Sequence, residues 1–199
     1  MKFPKFSLDS TLNELKRFES LPQAERKIIF YSENKNSMFI FESLINELVT
    51  VHDETICYVT SSRDEPLFEI LNKKIKTFYI GEGIARTKFF LNLQADILIM
   101  TMPDLETFHI KRSKVCPVHY VYLFHAMIST HLAYRKNAFD NFDSIFCVGE
   151  YQIDEIRSTE KLHNLKPKNL VRCGYSQLDN LLKKYAAKIN KIANIKNSH

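Results

Sequence analysis

The stretch "DILIM", Asp96 to Met100, decides the fold class, because four apolar residues follow one another without the alternation of a half-exposed strand. A strand that is apolar on both faces is typical of a parallel sheet, which helices cover on both sides. Runs rich in strand-forming residues recur before and after it. The predicted strands cover residues 27–32, 54–61, 75–81, 95–102, 117–125, 143–149 and 169–174.

Helical patterns separate most of these strands. The first pattern begins at Leu8, and the others cover residues 36–49, 65–74, 83–93, part of 131–142, 150–162 and 175–195. Strands that are joined through single helices run parallel to one another. The sequence therefore predicts an α/β fold with a doubly wound, mainly parallel sheet of about seven strands, of the Rossmann-like kind.

The charge distribution divides the chain. Residues 180–199 contain five lysines and no acidic residue, so the 28 basic and 23 acidic residues of the whole chain leave residues 1–179 formally neutral. A nucleic-acid-binding domain would need lysine and arginine clustered on the domain itself, so we expect no nucleic-acid partner. We predict an N-terminal helical arm over 1–22, a Rossmann-like domain over 23–179 and a basic amphipathic tail over 180–199.

Composition excludes several classes of site. The chain has four glycines and carries neither GxGxxG nor GxxxxGK[ST], so the usual dinucleotide and P-loop sites are absent. The four cysteines show no metal-binding spacing, and we predict neither a metal nor a cofactor. The first residues lack the apolar core of a signal peptide, and no apolar run approaches about 20 residues. We therefore expect a cytoplasmic protein.

Polar residues follow the strands at the edge where ligands bind in open parallel sheets. Ser32 and Asn34 follow the first strand. The stretch "YLFHAMIST", Tyr122 to Thr130, ends the fifth strand at His125, and a histidine there is suited to act as a general base on a hydroxyl group. The other interpretation of His125 is a strand end that hydrogen-bonds to the backbone. The densest polar cluster on the chain consists of His125, Ser129, Thr130, His131, Tyr134 and Arg135.

Two further features predict ligand contacts. Gly149 stands where the sixth strand turns into a helix, whose free N–H groups form a natural anion site, and Arg135 suits bidentate binding of phosphate. The last helix carries an apolar face and several lysines. It could dock on the domain, bind a partner or lie on an anionic membrane surface. This apolar face consists of Leu178, Leu182, Tyr185, Ile189 and Ile192.

Two segments resemble a known family. "VYLFHAMISTHLAYRKNAFDNFDSIFCVGEYQIDEIR" and the later "NLVRCGYSQLDNLL" are similar to CDP-glycerol glycerophosphotransferases, which build teichoic-acid-like polymers of the cell envelope. These enzymes have two facing Rossmann-like domains, the GT-B architecture. The likeness covers about 60 residues and includes the strand that ends in histidine and the "GYSQLD" turn. It departs from the family where many members have His-Gly and a later Thr-Pro-Leu-Lys, because this chain has "HAMIST".

The resemblance implies the acceptor-side domain of a transferase. His125 would take the proton of an acceptor hydroxyl, which would attack the β-phosphorus of CDP-glycerol and release CMP, while Ser129, Thr130 and Arg135 would shape the acceptor or phosphate side. The implied partners are CDP-glycerol, a lipid-linked or polymer acceptor, a second GT-B domain and, through residues 180–199, the inner membrane face. Two other functions stay open: a non-catalytic binding module, and a UDP-sugar epimerase or glycosyltransferase of the same architecture.

Overall fold

The structure, a computed structural model, describes residues 8–70, 72–107 and 109–196. Its centre is one sheet of seven parallel strands in the order β3-β2-β1-β4-β5-β6-β7. The predicted α/β class and the seven strands are confirmed. The strands are β1 (Ile28–Ser32), β2 (Ile56–Thr60), β3 (Ile75–Tyr79), β4 (Ile97–Met100), β5 (His119–Leu123), β6 (Ser144–Cys147) and β7 (Asn169–Arg172).

Helices flank the sheet on both faces. They are α1 (Leu8–Glu19), α2 (Ser37–Thr50), α3 (Ile84–Asn92), α4 (Thr130–Ala133), α5 (Glu150–Leu162) and α6 (Ser176–Lys196). The helix predicted over 65–74 is only a 3-10 turn, Pro66–Glu69, because the backbone becomes extended at Ile70. The pattern over 131–142 yields only α4, since Tyr134 is extended and Asn137 has a φ of 70°.

Two apolar cores explain why the central strands are apolar on both faces. One core contains residues of α1, α3 and α5, and the other is built around Phe41 and Ile45 of α2. In the first, the ring of Phe18 meets those of Phe78 and Phe89 edge-on, at centroid distances of 5.4 and 5.3 Å. The segment predicted as an N-terminal arm thus contributes a buried helix face to the domain. Its first seven residues lie outside the described part.

The strand order creates a crevice. From β1 the chain winds outward through β2 and β3, and it then returns to place β4 on the other side of β1. This reversal is a topological switch point, where the loops after the two strands diverge and leave space at their carboxyl ends. The segment 101–118, which leads from β4 to β5, has no helical residue among those described.

The long helix α6 is not a membrane span. Within residues 8–70, 72–107 and 109–196, no helix combines the length and the apolar character that crossing a bilayer requires.

Candidate functional site

The switch-point crevice is a cavity of about 420 Å³ at the carboxyl ends of β1, β4 and β5. It lies where open parallel sheets bind their ligands. Three loops contribute to its wall, and each follows a different strand. The lining residues are Glu33, Asn34, Asn36, Ser37, Ile40, Thr101, Met102, Pro103 and His125.

The N-terminus of α2 forms one wall of this crevice. Asn36 stands at the N-cap without a side-chain hydrogen bond to the helix, and the first turn of α2 carries no acidic residue. The N–H of Ser37 donates to the Asn34 carbonyl at 3.0 Å. The partial positive charge of the helix end favours an anion here, while the carboxyl of Glu33 in the same lining opposes it. The loop before α2 is fixed from below, because the buried hydroxyl of Ser32 donates a 2.6 Å hydrogen bond to the carbonyl of Asn34.

His125 also lines the crevice and is exposed there. Hydrogen bonds hold its backbone, and its ring meets that of Tyr134 edge-on at a centroid distance of 6.4 Å. The Tyr175 hydroxyl donates to the His125 carbonyl at 3.1 Å. The buried side chain of Gln152 accepts from Val148 N–H at 2.9 Å and donates to the carbonyl of Ile128 at 3.0 Å, which holds the loop after His125. In the part of the chain that the structure describes, no group hydrogen-bonds to either ring nitrogen of His125. The imidazole is thus available to a ligand.

A second cavity of about 280 Å³ continues the crevice and shares Glu33, Met102 and Pro103 with it. Arg86, in the first turns of α3, also lines it. Arg86 forms no ion pair with any carboxylate that the structure describes, and its Nε is buried without a hydrogen-bond partner there. Its guanidinium interacts with the Tyr31 hydroxyl and partly offsets the rise in the Tyr31 pKa that burial causes. A guanidinium in this position suits a phosphate or carboxylate group. The remaining lining residues are Asp104, Thr107, His109 and Ile110.

A buried carboxyl lies beneath the carboxyl ends of β1 and β2. Glu65 is only 2% exposed, and its Oε2 accepts hydrogen bonds from the hydroxyls of Tyr58 and Thr60, both at 3.3 Å. Its other oxygen, Oε1, is buried without a partner in the described structure. Burial raises the pKa of Glu65 to about 7, against the hydrogen bonds that lower it.

The polar cluster after β5 divides between two surroundings. Ser129 caps α4 by accepting from His131 N–H, and the N–H and Oγ1 of Thr130 donate to Glu155 of α5 at 2.5 and 2.6 Å. The His131 ring lies 3.1 Å from both the Glu155 carbonyl and the Thr159 hydroxyl. Partial burial tends to raise the pKa of Glu155, but the hydrogen bonds from Thr130 and Ser129 prevail and lower it. These residues attach α4 to α5 and do not line the crevice.

Arg135 and Gly149 also lie outside the crevice lining. Arg135 pairs with Asp104 at 2.5 Å and donates to the Thr107 hydroxyl at 2.9 Å, so it supports the loop that forms the second cavity. Gly149 begins α5 without a side-chain cap. Thr130, His131 and Arg135 line a separate cavity of about 340 Å³ beside α5.

Of the residues predicted from the sequence, the structure therefore brings together Asn34 and His125 in the crevice, with Ser32 directly beneath. Sequence reasoning missed Arg86, Thr101 and Gln152. "TMPD", which begins at Thr101, was visible as the polar end of a strand, but only the pairing of β4 with β1 places it opposite α2. No comparable signal marks Arg86 or Gln152.

Cysteine and metal chemistry find no support here. Cys57 and Cys147 are free thiols, and burial raises the pKa of each to about 12, which disfavours the nucleophilic thiolate. Among the described residues, no three His, Cys, Asp or Glu side chains come together as a metal site would require. The polar side chains that line the crevice are those of Glu33, Asn34, Asn36, Ser37, Thr101 and His125.

Comparison of the chain with known protein families, with curated proteins and with solved structures gives no significant match in any of the three.

Proposed function

We propose that this chain is the acceptor-side domain of a GT-B-like transferase of the CDP-glycerol glycerophosphotransferase kind, with His125 as the general base. The observation that carries the proposal is the position of His125: its ring is exposed and not hydrogen-bonded within the described structure, at a crevice where the loops after three parallel strands meet. A base must lie within hydrogen-bonding reach of the proton that it removes, and a ligand in this cavity meets that condition.

The proposed reaction transfers glycerol phosphate to a hydroxyl group. A neutral nitrogen of His125 accepts the proton of the acceptor hydroxyl, and the hydroxyl oxygen forms a bond to the β-phosphorus of CDP-glycerol. The bond from that phosphorus to the CMP oxygen breaks, and CMP leaves with the electron pair. The imidazolium then releases its proton to solvent. The products are a phosphodiester and CMP.

The crevice offers a place for an anionic acceptor end. A growing glycerol phosphate chain carries phosphate next to its terminal hydroxyl. The N-terminus of α2 faces the same cavity as His125, and Arg86 lines the adjoining one. A phosphate on these groups would place its neighbouring hydroxyl toward the imidazole. By the resemblance, the nucleotide of the donor would lie mainly on a second domain.

The two segments that resemble the family meet in space, which is a second support. Tyr175 belongs to "GYSQLD" and bonds to the carbonyl of His125, which ends the strand "YLFH". Gln152 belongs to the first segment, in "EYQIDEIR", and holds the loop after His125. Both contacts position the residue that we propose as the base.

The test is titration of the histidine rings by NMR in the full chain. The chain has seven histidines, so His125→Gln assigns the signal of interest and His52→Gln, at an exposed site after α2, is the matched control. We expect sn-glycerol 3-phosphate and CDP-glycerol to shift the His125 signals and to leave those of His52 unchanged. We expect no shift with UDP-N-acetylglucosamine.

Three outcomes would overturn the proposal. An unshifted His125 signal at millimolar glycerol 3-phosphate would remove the acceptor site. A stronger response to UDP-N-acetylglucosamine than to CDP-glycerol would favour a UDP-sugar enzyme of the same architecture. Two results together would favour a non-catalytic module. The ligand would shift the His125 signals of the wild type and bind His125→Gln equally well, and no CMP would be released when acceptor and donor domain are both present.

A further inference from the structure

The apolar face of α6 is uncovered. Five large apolar side chains along the first four turns are between 39% and 64% exposed, although apolar residues of this size are usually buried in a folded domain. We call them the α6 stripe: Leu178, Leu181, Leu182, Tyr185 and Ile189. The side chain of Ile192, predicted to continue the face, lies outside the described part.

The stripe follows the helical repeat, so its members share one side of α6. Lys183 lies on the opposite side, and Lys184 and Lys188 lie toward its flanks. All three lysines are exposed. After Asp179 the sequence carries no acidic residue to its end. The helix therefore presents a continuous apolar surface with exposed lysines along one flank and, at its start, the exposed Asp179 on the other.

The start of α6 is attached to the domain close to the crevice. Ser176 and Gln177 line a groove together with Ile40 and Leu44 of α2. Immediately before the helix, Tyr175 bonds to the carbonyl of His125. The exposed stripe thus begins within one turn of the crevice rim, on a helix of 21 residues.

We propose that α6 lies on an anionic lipid surface, with its stripe in the boundary between headgroups and acyl chains and its lysines among the acidic headgroups. Charge decides between this occupant and a second copy of the chain. Packing two α6 helices through their stripes would bring several lysines near one another, with only Asp179 on each helix to offset them, and like charges at close range are unfavourable. An anionic bilayer would bury the apolar side chains of the stripe and place the lysines beside acidic headgroups.

The inference does not depend on the chemistry proposed for His125. It concerns a different surface, and it would hold for a binding module as well as for a transferase. Where both proposals are correct, a bilayer on α6 would lie beside the crevice rim, within reach of a lipid-linked acceptor.

The first experiment is sedimentation of the full chain with sucrose-loaded vesicles. We expect it to pellet with phosphatidylcholine vesicles that contain 30 mol% phosphatidylglycerol (about one lipid in three), to pellet weakly with phosphatidylcholine alone, and to be released by 1 M salt. Lys183→Gln, Lys184→Gln and Lys188→Gln together should lower the partition coefficient by about a hundredfold. The matched control removes the same charge from exposed lysines elsewhere: Lys16, Lys73 and Lys88.

The second experiment locates the contact. The chain has no tryptophan, so Tyr185→Trp introduces a single fluorophore into the stripe, and Lys183→Trp places one on the other side of α6. We expect anionic vesicles to shift the emission of the first variant to shorter wavelength and to leave that of the second largely unchanged. Leu181→Ser with Leu182→Ser should abolish sedimentation without any change of charge.

Equal binding by wild type and by the α6 lysine variant would overturn the proposal, as would the absence of any sedimentation with anionic vesicles. A concentration-dependent dimer in light scattering that Leu181→Ser with Leu182→Ser dissociates, without vesicle binding, would overturn it in favour of a second copy. Equal emission shifts at positions 183 and 185 would show that the stripe does not face the lipid.

Discussion

Two histidines, six positions apart, have opposite surroundings. The ring of His125 lines the crevice and makes no hydrogen bond with the described residues. The ring of His131 lies within hydrogen-bonding distance of the Glu155 carbonyl and the Thr159 hydroxyl. A single turn separates them: β5 ends before His125, and α4 then directs His131 toward α5.

Two carboxyl groups show the same kind of contrast. Beneath the carboxyl ends of β1 and β2, Glu65 has one buried oxygen without a partner in the described structure and a raised pKa. Beside His131, Glu155 receives two hydrogen bonds from Thr130 and has a lowered pKa. The side toward α5 is saturated and structural, while the crevice side keeps groups that a ligand or a proton can engage. The number of polar residues in a stretch of sequence does not distinguish these two cases, whereas the hydrogen-bond partners in the structure do.

The largest expected effect separates the two histidines by activity. His125→Gln should lower the rate of glycerol phosphate transfer by roughly 100- to 10,000-fold, because removal of a general base costs about that much. His131→Gln should change the rate by less than about threefold, since its ring holds α4 to α5. The measurement is CMP release from CDP-glycerol in the presence of an acceptor and the donor domain.

The stability of the same two variants sharpens the assignment. Loss of the exposed His125 ring should leave the free energy of unfolding within about 0.5 kcal/mol of wild type. If His125→Gln unfolds at a much lower urea concentration, its ring has a structural role and the contrast with His131 fails.

The second effect concerns Glu65 and pH. Its pKa of about 7 in the folded chain exceeds the value of about 4.3 for an unfolded glutamate, so the folded state binds the extra proton and wild type loses stability as pH rises from 4.3 to 7. Glu65→Gln stays neutral and should be about 3 to 4 kcal/mol more stable than wild type at pH 8, because one pKa unit corresponds to about 1.4 kcal/mol. The difference should vanish near pH 4.

Urea unfolding across pH 4 to 8 measures this difference. Glu69→Gln, at an exposed carboxyl in the same 3-10 turn, is the control and should follow the wild-type profile. Parallel profiles for Glu65→Gln and wild type would mean that the Glu65 carboxyl is solvated or paired, and the contrast with Glu155 would disappear.

Sequence reasoning predicted the fold because its signal is repeated seven times. Each strand is a short run rich in apolar and strand-forming residues, and "DILIM" lacks the alternation of a half-exposed strand, which matches burial by helices on both sides. The two overestimated helices end at single residues, Ile70 and Tyr134, whose backbone is extended although the helical periodicity continues past them.

Only the site residues that directly follow a strand could be predicted from the sequence. His125 and Asn34 follow strands directly, so the parallel sheet alone places them at one edge. Thr130 and His131 belong to the same sequence cluster, yet a short helix turns them toward α5. Thr101 reaches the crevice only because β4 returns to pair with β1, and strand order is not encoded in any local pattern. Arg86 lines only the adjoining cavity.

The third prediction concerns the contact between Thr130 and Glu155, beside His131. Thr130→Val removes the hydroxyl bond to Glu155 and should cost about 1 to 2 kcal/mol at pH 7. Because the pKa of Glu155 is lowered by folding, this stabilisation exists above about pH 4.3 and is lost as pH falls through the folded pKa. The gap to wild type should therefore narrow toward pH 3. Ser158→Ala, whose exposed hydroxyl bonds only within α5, is the control, and an equal loss there would contradict the assignment.

The smallest effect tests whether the backbone of His125 is positioned by the turn before α6. Tyr175→Phe removes one hydrogen bond to the His125 carbonyl and should cost about 0.5 to 1.5 kcal/mol. Because this bond fixes the strand end and not the ring, glycerol 3-phosphate should bind somewhat more weakly while the pH dependence of transfer keeps its shape. Tyr151→Phe, at an exposed ring on α5, should change neither quantity. A shifted pH profile in Tyr175→Phe would mean that Tyr175 acts on the imidazole of His125 itself. The ring of His125 would then be held by a neighbouring residue, as the ring of His131 is.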